Sequence, residues 1–254
     1  MIARTGVRPP DRLMDEPACS VVPHLGLPPI EGTPRTRVLI VDDHRSFADA
    51  LTFAIDVNQD LQSVGIAPSI AVAIDLARCA SPDVVLLDIH LPDGDGIDAM
   101  ERIGDACPNA RILILTGHTD VEVLARAAAA GASGFLPKES SIGSVIGAIR
   151  SAQTGEMHVE GAMLAAILGR VSSASAPQRL NAEAPVLTPR EHDVLRLMGQ
   201  GMDPHAIAVS LRISLHTCRG YQKAIMAKLQ AHSQLEAVVV ATRRGLLPRG
   251  TIAS

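Results

Sequence analysis

Residues 84–96 read VVLLDIHLPDGDG, four consecutive apolar residues running into Asp88, with Pro92, Gly94 and Gly96 close behind. A continuous apolar run, with no alternation, suits a strand covered on both faces of a parallel sheet. The proline and glycines end it in a loop. Three other stretches repeat the arrangement: RVLIVDD (37–43) ends in the acidic pair Asp42 and Asp43, ILILTG (112–117) carries Thr116, and GFLPK (134–138) ends in Lys138. In an open α/β sheet the carboxyl ends of parallel strands deliver their residues to one crevice. A carboxylate acceptor, two further carboxylates, a hydroxyl and an ammonium would meet there, and these are the groups a phosphoryl transfer needs.

The surrounding pattern supports such a sheet. Strands are predicted near 37–42, 62–66, 83–88, 111–116 and 133–136, and helices near 45–57, 69–80, 96–106, 119–130 and 140–152. Right-handed crossovers between them give a five-stranded doubly wound parallel sheet. Residues 1–35 hold seven prolines without periodicity, as expected of a disordered Pro-rich extension. The α/β domain is assigned to 36–153 and a linker to 154–182, in which VEGAMLAAILGRV is read as one short helix packing on either domain; the polar, Pro-containing SSASAPQRLNAEAP (172–185) marks the boundary. A second, all-α domain is assigned to 183–248, with helices near 189–199, 203–210, 214–228 and 233–244.

Composition narrows the class further. The chain has 254 residues, 47% of them apolar, and a mean hydropathy of +0.21, which allows two domains with proper cores. No apolar run approaches the roughly 20 residues of a membrane span, and the start lacks a basic region followed by an apolar core. A soluble cytoplasmic protein with no membrane partner is expected. Cys19, Cys79, Cys107 and Cys218 lack metal-ligand spacing, so they are read as thiols. The net charge of −4 is unevenly divided. Residues 187–249 hold nine Lys and Arg against four acids, a surplus of five, which leaves −9 on the rest. A basic C-terminal half can meet a phosphate backbone.

Asp88 as nucleophile makes chemical sense, because a carboxylate can accept a phosphoryl group as an acyl phosphate. Mg²⁺ is the natural partner of a few carboxylates and phosphate oxygens, and Asp42 and Asp43 fit that role. Lys138 can pair with the transferred group and Thr116 can hydrogen-bond to it. Only three of the 23 basic residues are lysines (Lys138, Lys223, Lys228), so Lys138 stands out as a compact, mobile charge suited to phosphate. Taken singly, each residue has an ordinary reading: an acidic pair after a strand caps a helix, and a strand-end Thr or a Phe belongs to the core. Their joint occurrence with Asp88 makes the site.

VDDH, LLDIHLPDGDG, LTG and GFLPK resemble the receiver domain of two-component response regulators, over about residues 37–152. The resemblance implies a flavodoxin-like fold and phosphorylation of Asp88 by a sensor histidine kinase. It implies Mg²⁺ held by Asp42, Asp43, Asp88 and the backbone carbonyl of His90, and a switch pair of Thr116 and Phe135, the hydroxyl moving to the phosphate and the ring turning inward. The phosphodonor histidine belongs to the partner, so neither His44 nor His90 is given a side-chain role.

In the basic half, LTPREHDVLRLMGQGMDPHAIAVSLRISLHTCRGYQKAIMAKL has the punctuation of successive short helices: Pro189 and Pro204 at first turns, Gly201 after a helix, Ser214 as a cap. Two helices joined by a tight turn form a helix-turn-helix. From Ser214, the set Cys218, Tyr221, Ile225 and Leu229 should face the core. Ser214, His216, Thr217, Arg219, Gly220, Lys223 and Lys228 are the candidate contacts to double-stranded DNA, with Arg219 and Lys223 one turn apart. An ordinary solvated basic face is the competing reading.

The order of LTPRE, GMDPHAIA, LRIS, HTCRGY, KL and EAV resembles the DNA-binding domain of LuxR-type regulators. With the receiver, the chain resembles a NarL/FixJ-type response regulator. That implies phosphorylation-controlled transcription, homodimers on paired half-sites when active, and no enzyme activity beyond self-phosphorylation from small donors and autodephosphorylation. VVVA (238–241) is the candidate dimer surface. The family usually has Glu where Ala206 stands, His at Tyr221, Asn at Ala224 and Lys at Arg219; these departures bear on the operator sequence more than on the fold. Two alternatives are a phosphorylation-independent regulator that dimerises through its receiver, and an aspartate-nucleophile phosphatase. The intact acidic pair, Asp88 and Lys138 speak against the first. The second usually has an acid two residues after the nucleophile, where His90 stands.

Overall fold

A computed structural model describes residues 34–117, 120–174 and 187–247. The first domain runs β1 (Thr36–Val41), α1 (Arg45–Asp56), β2 (Leu61–Ala67), α2 (Ile70–Ala80), β3 (Val84–Asp88), a hairpin of β4 (His90–Leu91) and β5 (Gly94–Asp95), α3 (Gly96–Ala106), β6 (Arg111–Thr116), α4 (Val121–Ala129), β7 (Gly134–Pro137) and α5 (Ile142–Gln153). The main sheet is parallel with strand order β2-β1-β3-β6-β7, the doubly wound arrangement expected. Its order reverses between β1 and β3, where open α/β sheets bind their ligands. The small antiparallel hairpin was not expected; it folds LPDGDG back on itself, pairing His90 with Asp95 and Leu91 with Gly94.

The apolar runs form strands because both sheet faces are covered. Val38, Ile40, Val84 and Leu86 face α1 and α5, whereas Leu39, Val41, Val85 and Leu87 face α2, α3 and α4. All eight side chains are fully buried. Each contributes roughly 1.5–3 kcal/mol of transfer free energy, which holds β1 and β3 side by side and fixes where Asp42 and Asp88 emerge.

The second domain comprises α7 (Pro189–Gly199), α8 (Pro204–Leu211), α9 (Leu215–Leu229) and α10 (Gln234–Arg243). Thr188, Asp203, Ser214 and Ser233 cap them through their side chains, with Thr188 and Glu191 completing a capping box. Arg212, in the left-handed conformation (φ 54°, ψ 47°), makes the tight turn between α8 and α9. Among the described residues no helix is long and apolar enough to cross a membrane.

One expectation is extended and one needs correction. The segment read as a short linker helix is α6 (Gly161–Ala174), whose Leu164, Ile167, Leu168 and Val171 are buried in an apolar cluster shared with both domains. It packs against α4 and α10 and so joins the domains. Of the expected dimer surface, Val238, Val239 and Ala241 are fully buried within the chain, because α10 is packed on α4, α6, α7 and α9. The extension 1–33 and most of the polar stretch 172–185 lie outside the described residues.

Candidate functional site

The sheet brings its strand-end polar groups together. Asp42 follows β1, Asp88 ends β3, Thr116 ends β6 and Lys138 follows β7, and the register sets Val41 beside Leu87, Asp88 beside Leu115 and Thr116 beside Pro137. Asp42, Asp88 and Thr116 are almost wholly buried. Lys138 Nζ stands 2.7 Å from Asp88 Oδ2 and 2.7 Å from Asp42 Oδ2, and its backbone N–H donates to the Thr116 carbonyl at 2.9 Å. The Phe47 ring lies under the ammonium, 5.4 Å from centroid to Nζ. Burial alone would push the Lys138 amine down, but its pairing with the Asp42 and Asp88 carboxylates outweighs it and holds the ammonium above its ordinary range.

Ligand atoms of Asp42, Asp43, His44 and Asp88 all lie within 4.8 Å of one another. Three carboxylates against one ammonium leave two negative charges uncompensated in a largely buried crevice, and the Asp42 Oδ2 contact with Lys138 lacks hydrogen-bond geometry. A hard divalent cation fits that donor set and charge. His44 was given no role from the sequence, yet its Nδ1 is 2.8 Å from Asp43 Oδ1 and its backbone N–H donates to Asp42 Oδ1 at 2.8 Å. His90 donates its backbone N–H toward Asp88 Oδ1 over 3.4 Å. The Phe135 ring already lies inside the core.

Sequence reasoning missed the residues that shape the loop after Asp88. Gly96 donates its N–H to the Ile89 carbonyl at 2.7 Å, and a Cβ there would collide with the Asp88 carbonyl oxygen, so only glycine lets α3 start this close to the acceptor. Asp93 accepts from the backbone N–H groups of Ile70 (2.8 Å) and Ala71 (3.0 Å), which hold its carboxyl below the usual range and pin the loop to the start of α2. Asp95 caps α3 and pairs with Arg126 of α4 at 3.2 Å.

On the second domain, Ser214, His216, Thr217, Arg219, Gly220 and Lys223 are all exposed along α9, although the Ser214 hydroxyl is engaged as cap, accepting from Thr217 N–H at 3.0 Å. Cys218, Ile225 and Leu229 are buried as expected, but Tyr221 is only half-buried and Gln222 is buried in its stead. Lys228 belongs to a different setting from the other candidates: its Nζ is 2.6 Å from the buried Glu191 carboxylate of the capping box. Burial would raise the Glu191 carboxyl, but Lys228 and Thr188 together hold it below the ordinary range. Arg219 Nη2 is 3.0 Å from Glu156 Oε1, in the segment that leaves α5.

A doubly wound domain with an acidic crevice at its switch point, joined to a helix-turn-helix, defines a signal-receiving, DNA-binding class of protein. The response regulator receiver domain pattern matches residues 38–150, and the pattern of the bacterial regulatory proteins of the luxR family matches 185–241. The DNA-binding transcriptional activator DevR/DosR of Mycobacterium tuberculosis is 31% identical over 206 residues, 81% of this chain and 94% of that protein. The nitrate/nitrite response regulator protein NarL of Escherichia coli is 30% identical over 205 residues, 80% and 93% respectively. The crystal structure of a LuxR-family two-component response regulator from Aurantimonas is 29% identical with a TM-score of 0.50, covering 54% of this chain and 97% of that one. The chain belongs to the two-component response regulators that join a receiver to a LuxR-type DNA-binding domain, and it is a transcriptional regulator of that family.

Proposed function

We propose that Asp88 accepts a phosphoryl group from the phosphohistidine of a sensor histidine kinase, and that this modification governs how α9 meets double-stranded DNA. The observation that carries the reading is the Lys138 ammonium held 2.7 Å from both Asp88 and Asp42 at the switch point of the sheet. Asp88 Oδ2 is engaged by Lys138 at 2.7 Å, and Oδ1, which has the longer 3.4 Å contact from the His90 N–H, attacks phosphorus; the new O–P bond forms as the N–P bond to the donor imidazole breaks. Mg²⁺, bound by Asp42, Asp43, Asp88 and the His90 carbonyl, would neutralise the phosphoryl oxygens. Lys138 then pairs with the transferred group, and the Thr116 hydroxyl donates to it. In this role the protein works in the cytoplasm, and its only chemistry is its own phosphorylation and dephosphorylation.

The DNA contacts fall to His216, Thr217, Arg219, Gly220 and Lys223, with Ser214 holding the start of α9. The conformation described is a closed one. Ser233 Oγ donates to the Ala132 carbonyl at 2.7 Å and Arg111 donates to the His232 carbonyl, while α4 and α6, themselves joined by Arg170 and Glu122 at 3.0 Å, pack on α10. Phosphorylation favours an open state that dimerises on paired half-sites.

Intact mass after incubation with acetyl phosphate and Mg²⁺ tests the first step. A phosphoryl increment on the native chain that disappears in Asp88→Ala is expected. An increment that survives the substitution rules out Asp88 as acceptor.

A further inference from the structure

Residues 156–159 run from α5 to α6 along the open edge of the sheet. β7 is the last strand, and the outward N–H and C=O groups of an edge strand need a cover. His158 supplies one: it pairs with Gly134 as an isolated parallel bridge, accepts from Phe135 N–H at 3.0 Å and donates to the Ser133 carbonyl at 3.3 Å. Gly134 makes the approach possible, since a Cβ there would stand 2.5 Å from the His158 oxygen and 3.0 Å from its Cβ. Gly155, at φ +77°, turns the chain out of α5 into this path.

Two residues before His158, Glu156 reaches across to α9. Its Oε1 lies 3.0 Å from Arg219 Nη2, on the exposed face that also carries Lys223 one turn on. A carboxylate against a guanidinium is the same charge-assisted pairing that a DNA phosphate would offer.

We propose that residues 156–159 are an autoinhibitory strap, zipped to the β7 edge at Phe135, which presents Glu156 to Arg219 as a stand-in for DNA phosphate. The device rests on the reading of Asp88 as the phosphoacceptor. β7 runs directly into Lys138, whose ammonium lies between Asp42 and Asp88. Transfer of that ammonium to an arriving phosphoryl group draws on the C-terminal end of β7, since Lys138 follows three residues after Phe135, the strand residue that donates to the strap. The coupling is reciprocal, so DNA that takes Arg219 also loosens the strap.

The test uses the full chain without phosphorylation and a fluorescein-labelled duplex of mixed sequence, because non-specific binding is dominated by phosphate contacts. Glu156→Gln keeps the side-chain shape and removes the charge. Glu101→Gln removes the same charge from an exposed position on α3. Glu156→Gln is expected to bind roughly two- to fivefold tighter than the native chain, the size of a partly exposed ion pair, while Glu101→Gln binds as the native chain does. Gly134→Ala, which lifts the strap without changing charge, is expected to give a similar gain together with faster amide exchange at Phe135 and His158. Native affinity in Glu156→Gln overturns the strap, and so does an equal gain in Glu101→Gln, which would mark long-range charge alone. If phosphorylation leaves DNA affinity of the native chain unchanged, the functional reading above fails separately, and the Glu156→Gln comparison still decides the strap.

Discussion

Replacing Lys228 with Met separates two roles for a lysine near the end of α9. The ammonium stands 2.6 Å from Glu191 Oε2; the Glu191 side chain is 6% exposed and that of Lys228 is 36% exposed. Breaking a fully buried pair costs about 3–5 kcal/mol, and losing an exposed one less than about 1 kcal/mol. The partial exposure of Lys228, and the Thr188 N–H that still donates to Glu191 at 2.6 Å, place this case between the limits. About 1–2 kcal/mol is expected, a fall of roughly 5–10 °C in midpoint for a domain of this size. The assay is built into the sequence: there is no tryptophan and Tyr221 is the only tyrosine, so tyrosine emission on heating reports on α9 alone. The pH dependence has a definite sign. The Glu191 carboxyl is held below its ordinary value in the folded state, so its contribution is complete above about pH 4.3, the unfolded value, and is lost as pH falls through the folded one. The difference between native and Lys228→Met should therefore shrink only in strong acid. Glu191→Gln combined with Lys228→Met should recover part of the loss. An unchanged Tyr221 midpoint in Lys228→Met, accompanied by a DNA salt slope smaller by about one, would refute this account and return Lys228 to the phosphate contacts.

Three further outcomes follow from other positions. Gln222 is buried with neither amide atom hydrogen-bonded, so Gln222→Leu should stabilise the second domain by about 1–3 kcal/mol, the penalty of an unmet buried polar group; a lower Tyr221 midpoint would count against it. Gln230 ends α9 in the left-handed conformation (φ 57°, ψ 41°), and Gln230→Gly should raise the same midpoint by a few degrees, worth about 1 kcal/mol. Ser233 both caps α10 and donates to Ala132, so Ser233→Ala should cost about 1 kcal/mol as a lost cap and expand the chain in small-angle scattering; unchanged dimensions would show that this bond does not help hold the closed state.

The strand-end polar groups were legible because the signals that place them are local. A run such as VVLLD, short, rich in valine and closed by Pro and Gly, suits a doubly covered strand whose last residue emerges at the carboxyl edge, and the runs ending near Asp42, Thr116 and Lys138 share the pattern. The helix starts marked by Pro189, Pro204 and the Ser214 cap were equally readable, since a cap and the N–H it accepts from lie within three residues. Gly96 and Asp93 stood in plain view within LPDGDG but had no visible task, because what they meet, the Asp88 carbonyl and the α2 terminus, comes from chain that folds back on the loop.

By itself, then, the amino-acid order determined the doubly wound sheet, the helix-turn-helix and the residues offered for phosphoryl transfer and DNA, all of which follow from period, punctuation and strand-end chemistry. Tertiary structure alone decided who pairs with whom. VVVA was apolar enough for an interface, yet apolar character specifies burial and not the partner, and α10 turned inward against α4 and α6. Lys228 and Arg219 were both cations on α9, but one closes on Glu191 within its own domain and the other on Glu156 across the boundary. Charge in a sequence says that a counter-charge is wanted; which one arrives depends on how the domains pack.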